Sequence, residues 1–189
     1  MKRMLVVAMC VCAGVAASAT RAEAQLSMGS FRGYFTGQAG WATGGEVSNQ
    51  VFTPSASVSV QEANGWGAEF DFGYSADTEA GRQVLDVATY MFNGNFIQPH
   101  GRLRPFASVG VGVMQVDGCD APCTRPAKTF DVGINAGGGA LFDINDMVAV
   151  RGDVRYFRTL ADHPDLRRPN NFSFWRVSLG VSLFWAIVP

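Results

Sequence analysis

The chain has 189 residues, of which 48% are hydrophobic and 16% charged, and a formal net charge of -1. That near-neutral balance gives no reason to expect nucleic acid or an acidic partner, and the length fits one domain of about 100–200 residues. After Ala19 no stretch approaches the about 18 uninterrupted apolar residues of a membrane helix.

The N-terminus reads Met1-Lys2-Arg3, then runs apolar from Met4 to Ala19, and reaches Ala22-Glu23-Ala24. A basic start, a short apolar stretch and an Ala-x-Ala site predict a secretory signal peptide over 1–24, with residues 25–189 as the exported domain. Met9 and Val11 precede Cys10 and Cys12, where a lipidation signal needs a small residue, so no lipid anchor is expected. Losing Lys2, Arg3, Arg21 and Glu23 takes the net charge from -1 to -3. Two cysteines then remain, Cys119 and Cys123, in Asp117-Gly-Cys-Asp-Ala-Pro-Cys. An even count in an exported chain predicts a disulfide, here pinching a loop tip.

Eight segments alternate between two faces, as strands do. The first sets Phe31, Phe35, Ala39 and Trp41 against Arg32, Tyr34, Thr36 and Gln38; the second sets Ala56, Val58 and Val60 against Ser55, Ser57, Ser59 and Gln61. The third is the cleanest: Trp66, Ala68, Phe70, Phe72 and Tyr74 share one face while Gly67, Glu69, Asp71, Gly73 and Ser75 share the other. In the fourth, Leu85, Val87 and Met91 oppose Asp86 and Tyr90, although Ala88 and Phe92 blur the pattern. The fifth sets Val109, Val111 and Val113 against Ser108, Gly110 and Gly112; the sixth sets Phe130, Val132, Ile134, Ala136 and Ala140 against Asp131, Gly133, Asn135, Gly137 and Gly139. The seventh opposes Val148, Val150, Val154 and Tyr156 to Arg151, Asp153 and Arg155; the eighth opposes Trp175, Val177, Leu179, Val181, Leu183 and Trp185 to Arg176, Ser178, Gly180 and Ser182.

The connections differ in character. Asn64-Gly65 is a primed-turn hairpin signal, and Asp143-Ile-Asn-Asp146 is another tight turn, whereas Ala42 to Pro54, Asp117 to Lys128 and Thr159 to Asn171 read as long polar loops. Asn93 to Arg104, with Pro99 and Pro105 around it, reads as an extended turn on the short-turn side.

The polar faces carry Arg32, Glu69, Asp71, Asp86, Asp131, Arg151, Asp153, Arg155 and Arg176 among many Gly and Ser residues. Such a set suits a hydrogen-bonded interior, which eight strands leave just wide enough for side chains to fill. The aromatic and branched face then suits lipid, and closure is required because each unpaired backbone group costs several kcal/mol in hydrocarbon. Trp41, Trp66, Tyr74, Tyr156, Trp175 and Trp185 fall near strand ends, as girdles at the two membrane interfaces do. The expected fold is all-β: an eight-stranded antiparallel up-and-down transmembrane β-barrel with short periplasmic turns and longer outer loops.

Gly65-Trp-Gly-Ala-Glu-Phe-Asp-Phe-Gly-Tyr74, Arg104-Pro-Phe-Ala-Ser-Val-Gly-Val-Gly-Val113, Val150-Arg-Gly-Asp-Val-Arg-Tyr156 and the final strand resemble the small OmpA/OmpX-type outer-membrane barrels, over residues 29–185. The resemblance implies a bacterial outer-membrane location and a last strand read by the barrel-insertion machinery. Trp185, with Leu183, Val181 and Leu179, fits that signal, although Ala186-Ile-Val-Pro189 follows it. It also implies contact with a surface ligand through the outer loops.

A lumen ladder of Arg151, Asp153 and Arg155 reads either as a paired plug or as the filter of a narrow passive channel for small solutes or ions. Fold alone does not choose between them, nor does it exclude a periplasmic lipocalin-like ligand-binding barrel. Catalysis would need a nucleophile, a base and an orienting acid; His100 and His163 both read as loop residues, so no enzyme is expected. No cofactor or metal is expected either, since the cysteine pair lacks a second pair of ligands. Outer-membrane lipid and lipopolysaccharide are the expected surroundings of a monomer, with Arg158, Arg167 and Arg168 as candidates for lipopolysaccharide phosphates.

Overall fold

A computed structural model describes residues 31–80, 83–119, 127–160 and 172–187. Eight strands run in sequence: β1 (Phe31–Gly44), β2 (Val47–Glu62), β3 (Trp66–Ala80), β4 (Gln83–Ile97), β5 (Leu103–Cys119), β6 (Ala127–Asp143), β7 (Val148–Thr159) and β8 (Ser173–Ile187). Each pairs antiparallel with its neighbour, and β1 pairs with β8 from Phe31↔Ile187 to Thr43↔Trp175, which closes the barrel. Closure removes the free sheet edges that hydrocarbon would not tolerate. The residues expected to form the signal peptide lie outside those described.

The lower end of the barrel carries the first and last strand ends and three short turns, at 63–65, 98–102 and 144–147. The Asn64-Gly65 turn forms as its residues dictate: Gly65 adopts φ 97°, and Asn64 Oδ1 accepts from the Trp66 amide at 3.0 Å. At the upper end the expected Ala42–Pro54 loop is instead a hairpin. Gly44 and Gly45, at φ 71° and 64°, turn the chain tightly, and Val47, Val51 and Thr53 continue β2. Lower down, β4 runs on to Ile97, so the expected extended turn from Asn93 shrinks to residues 98–102.

Strands of 12 to 17 residues exceed the about 9–11 residues that a tilted crossing needs. The surplus lies mainly at the upper ends of β2 to β6, which continue past Trp41, Tyr74 and Tyr156.

The two faces separate as their chemistry predicts. Phe35, Phe70, Phe72, Val109, Val111, Val132, Ile134, Val177, Leu179 and Val181 all point outward and are exposed, whereas Thr36, Gln38, Ser57, Glu69, Asp71, Asn135 and Ser182 point inward and are buried. A soluble barrel would reverse this arrangement. Phe70→Ala should therefore cost about 1.5–3 kcal/mol of refolding stability in a bilayer, measured by urea titration of vesicle-bound protein, without disturbing the interior.

Strand β4 corrects the sequence reading. Leu85, Val87 and Met91 were expected to face outward, but they are buried in the lumen, while Tyr90, Phe92 and Phe96 face outward. Asn93 and Asn95 fix the register: they share a face with Leu85, Val87 and Met91, and they lie inside.

Candidate functional site: a layered lumen

The interior is built in three layers. Uppermost, Ala42, Val47, Leu85, Val87, Met91, Met114, Val116, Phe157, Phe172 and Phe174 form one buried apolar cluster. Near the lower mouth, Tyr34, Ile97, Phe106, Leu141, Ala149 and Phe184 form a second. Between them lies a belt of three carboxylates, Glu69, Asp71 and Asp153, and three guanidiniums, Arg151, Arg155 and Arg176, none more than 2% exposed.

Strand β3 supplies two of the anions because Glu69 and Asp71 alternate with Phe70 and Phe72. Strands β7 and β8 supply the cations on the facing wall. Glu69 accepts from Arg151 Nη1 at 2.6 Å through one oxygen and from Arg155 Nη2 at 2.5 Å through the other, bridging two arginines. Asp153 lies between the same two arginines along β7, taking Arg151 Nη2 at 2.9 Å and Arg155 Nε and Nη2 at 2.9 and 2.8 Å. Arg176 Nη2 donates to both oxygens of Asp71, at 2.7 and 2.8 Å. The belt thus ties β3 to β7 and β8 across the lumen, and its charges balance.

Aromatic faces close the belt above and below. The Arg151 guanidinium stacks 4.4 Å from the Phe106 centroid in the lower layer, and that of Arg176 lies 4.8 Å from Phe157 in the upper one. Such contacts desolvate the cations while partly compensating them. Inward glycines make the room: a Cβ on Gly73 would stand 2.4 Å from Arg176 Nη1, and one on Gly137 would stand 2.8 Å from Arg155 Cγ. Gly112 and Gly133 accommodate Met91 and Met114 in the upper layer in the same way.

Three of the nine residues expected in the lumen network behave differently from the belt. Asp131 is buried on the inward side of β6, nearer the upper end. Arg32 has the inward parity but is exposed, because it is the second residue of β1 and reaches only the rim, where its guanidinium lies 5.9 Å from the Phe184 centroid. Asp86 faces outward, a consequence of the reversed reading of β4; its oxygens accept from the Tyr74 hydroxyl at 3.2 Å and the Asp77 amide at 3.1 Å. It stands above the aromatic residues of the outer face, clear of the lumen.

The sequence reading also missed a second ionic group, at the lower mouth. Arg104, 2% exposed, donates to Asp143 Oδ1 at 2.8 Å and to the Tyr34 hydroxyl at 3.1 Å, and Tyr34 in turn donates to Gln61. Pro105 had marked this stretch as a turn. It is in fact the beginning of β5, where Arg104 alternates inward with Phe106 and Ser108.

All six expected interface aromatics point outward, and they fall at two heights. Trp66 and Trp185 lie near the lower end, with Trp66 5.2 Å from Phe96. Trp41, Tyr74, Tyr156 and Trp175 lie toward the upper end, where the Tyr156 and Trp175 rings are 5.1 Å apart. The Trp185 indole lies over Gly33, where a Cβ would meet it at 2.1 Å. Gly33→Val should therefore displace Trp185, seen as a red shift of tryptophan emission in vesicles. His100 is exposed on the 98–102 turn. His163, Arg167, Arg168 and Cys123 lie outside the described residues, as does the side chain of Cys119, so the expected disulfide does too.

A family model described as outer membrane protein beta-barrel domain matches residues 4–183. No curated protein matches the chain. Among solved structures, Neisserial surface protein A (NspA) is 12% identical with a TM-score of 0.63, over 82% of this chain and 99% of its own. Ail of Yersinia pestis, in complex with the heparin analogue sucrose octasulfate, is 12% identical with a TM-score of 0.55, over 84% and 100%. OprG from Pseudomonas aeruginosa is 9% identical with a TM-score of 0.52, over 83% and 96%. At these identities the likeness is one of fold.

Proposed function

The chain belongs to the outer membrane protein beta-barrel domain family, and on that premise we propose that it serves as a sealed, non-enzymatic outer-membrane barrel, structural or adhesive, acting through its outer loops. The observation that carries this reading is the layered lumen. A path along the axis would have to breach both apolar layers and a belt in which Glu69, Asp71 and Asp153 are each held by arginine. Separating buried ions without replacing their partners is strongly unfavourable. The alternative is a narrow channel for small solutes or ions, which the lumen's serines and asparagines would favour only if the belt rearranged.

Liposome swelling separates the two readings. Vesicles carrying the protein should swell in isosmotic glycerol or arabinose no faster than empty ones; swelling that rises with protein content would favour the channel.

The partners follow the same reading. Lipid and lipopolysaccharide would surround a monomer, and Arg158, exposed on the outward face near the upper end of β7, would meet lipopolysaccharide phosphate. The insertion machinery would read the last strand through Trp185. Trp185→Ala is expected to lower the yield of machinery-assisted assembly several-fold while leaving unassisted refolding in detergent nearly unchanged. A surface ligand would be held by the segments that join β5 to β6 and β7 to β8. Ail, captured with a heparin analogue, is one barrel of this fold with a bound ligand.

A further inference from the structure

The wall of the barrel is not equally knit all the way round. The backbone ladder between β2 and β3 runs from Gln61↔Gly67 only as far as Ser55↔Gly73, although β2 continues to Val47 and β3 to Ala80. Every residue of this stretch is described. The other partners of both strands hold on: β2 stays with β1 up to Val51↔Ala42, and β3 stays with β4 up to Ala80↔Gln83. The break therefore divides two hairpins that each remain paired past it, across one register shift apiece.

Its cause is local. The next residue of β2 is Pro54, which has no N–H to donate and is confined to sheet edges and bulges. On β3, a register shift between Ser75 and Thr78 and the left-handed Asp77, at φ 54°, turn the strand away from β2. Asp is one of the few residues that tolerate that conformation.

Side chains bridge the gap instead. Inside, the hydroxyls of Thr53 and Ser75 lie 2.7 Å apart. Above them Asn49 takes the place of a backbone unit: its Nδ2 donates to Asp77 O at 3.0 Å and its Oδ1 accepts from the Glu79 amide at 2.9 Å. Ser48 Oγ donates to Glu79 O at 3.0 Å. The seam is closed, since Thr53, Ser75 and Thr78 are at most 2% exposed. Beside it, on the inward face of β4, stand Val87 and Leu85 of the upper apolar layer, paired with Ser75 and Thr78.

We propose that this seam is a latch through which the upper lumen opens sideways, while the charge belt beneath keeps the barrel sealed along its axis. A handful of neutral side-chain hydrogen bonds, each worth about 0.5–1.5 kcal/mol net, is easier to break than a continuous ladder. Met91 and Met114 belong to the same upper apolar layer, and methionines are the side chains best able to repack. Asn49, Thr53 and Ser75 are neutral and the flanking charged residues among those described, Asp77, Glu79 and Asp86, are all acidic, so what the latch admits is water and small molecules without negative charge.

Hydrogen exchange of the full chain in lipid nanodiscs, with water as the probe, tests the latch. Asn49→Ala should raise exchange at least tenfold at residues 74–76 and also at Leu85 and Val87 beside the seam, with Val113 and Val132 in the β5–β6 ladder unchanged. A cysteine pair at Thr53 and Ser75, oxidised, should return Leu85 and Val87 to slow exchange. The proposal is overturned if Asn49→Ala leaves Leu85 and Val87 as protected as before, or if it speeds exchange equally around the whole upper rim.

Discussion

Glu69→Ala should destabilise the barrel by about 3–5 kcal/mol, the usual cost of removing one partner from a buried ion pair. Glu69 is the hub of the belt, holding Arg151 with one oxygen and Arg155 with the other, and its loss leaves two guanidiniums sharing Asp153 between apolar layers. Urea titration of vesicle-bound protein reads the effect as a lower midpoint at unchanged slope. Replacing both Glu69 and Arg155 by Met restores the charge balance and leaves Arg151 paired to Asp153. The double variant should be more stable than either single one, because well-packed apolar residues often substitute for a buried ion pair without loss. Additive losses would mean that the belt is not a coupled unit.

Asp71→Ala should have an effect of similar size, about 3–5 kcal/mol, because Arg176 donates one nitrogen to both Asp71 oxygens and lies against Phe157. The second half of this prediction concerns Gly73. A Cβ there would stand 2.4 Å from Arg176 Nη1 and 2.9 Å from Thr89 Oγ1, so Gly73→Val overpacks the site, at a typical cost of about 1–3 kcal/mol. An arginine can normally swing away from such a clash, but Asp71 and Phe157 hold this one. Gly73→Val should accordingly cost less in an Arg176→Met background, where the pair is already gone. Equal costs in both backgrounds would show that Gly73 is required for another reason.

Much of this could be read from residue types. The alternation in β1, β3, β6 and β8 gave both strand and facing, since aromatic and branched residues fell on one parity and Gly, Ser and charged residues on the other. The belt was legible for the same reason: Glu69 and Asp71 on one strand needed cations, and Arg151, Arg155 and Arg176 were the ones on the same face. The misreadings in β4 have one origin, the premise that the lumen is polar throughout. Its upper layer is apolar, so Leu85, Val87 and Met91 were assigned outward and Asp86 inward. Parity within β4 held the remedy, because Asn93 and Asn95 share their face. Arg104 was missed because Pro105 suggested a turn, although Pro is well tolerated near the start of a strand. Arg32 shows a limit of alternation itself, which gives a residue's face but not its height. The ladder break at Pro54 depends on a bulge in the neighbouring strand, and no single segment reveals it.

Planar-bilayer recording of the purified barrel, alongside a variant with Glu69→Ala and Arg155→Ala, probes the sealed lumen most directly. The wild type should show no discrete conductance steps, and the variant should show none either while the apolar layers above and below its emptied belt stay closed. Stable steps in the wild type would contradict a lumen closed by paired charge and apolar layers.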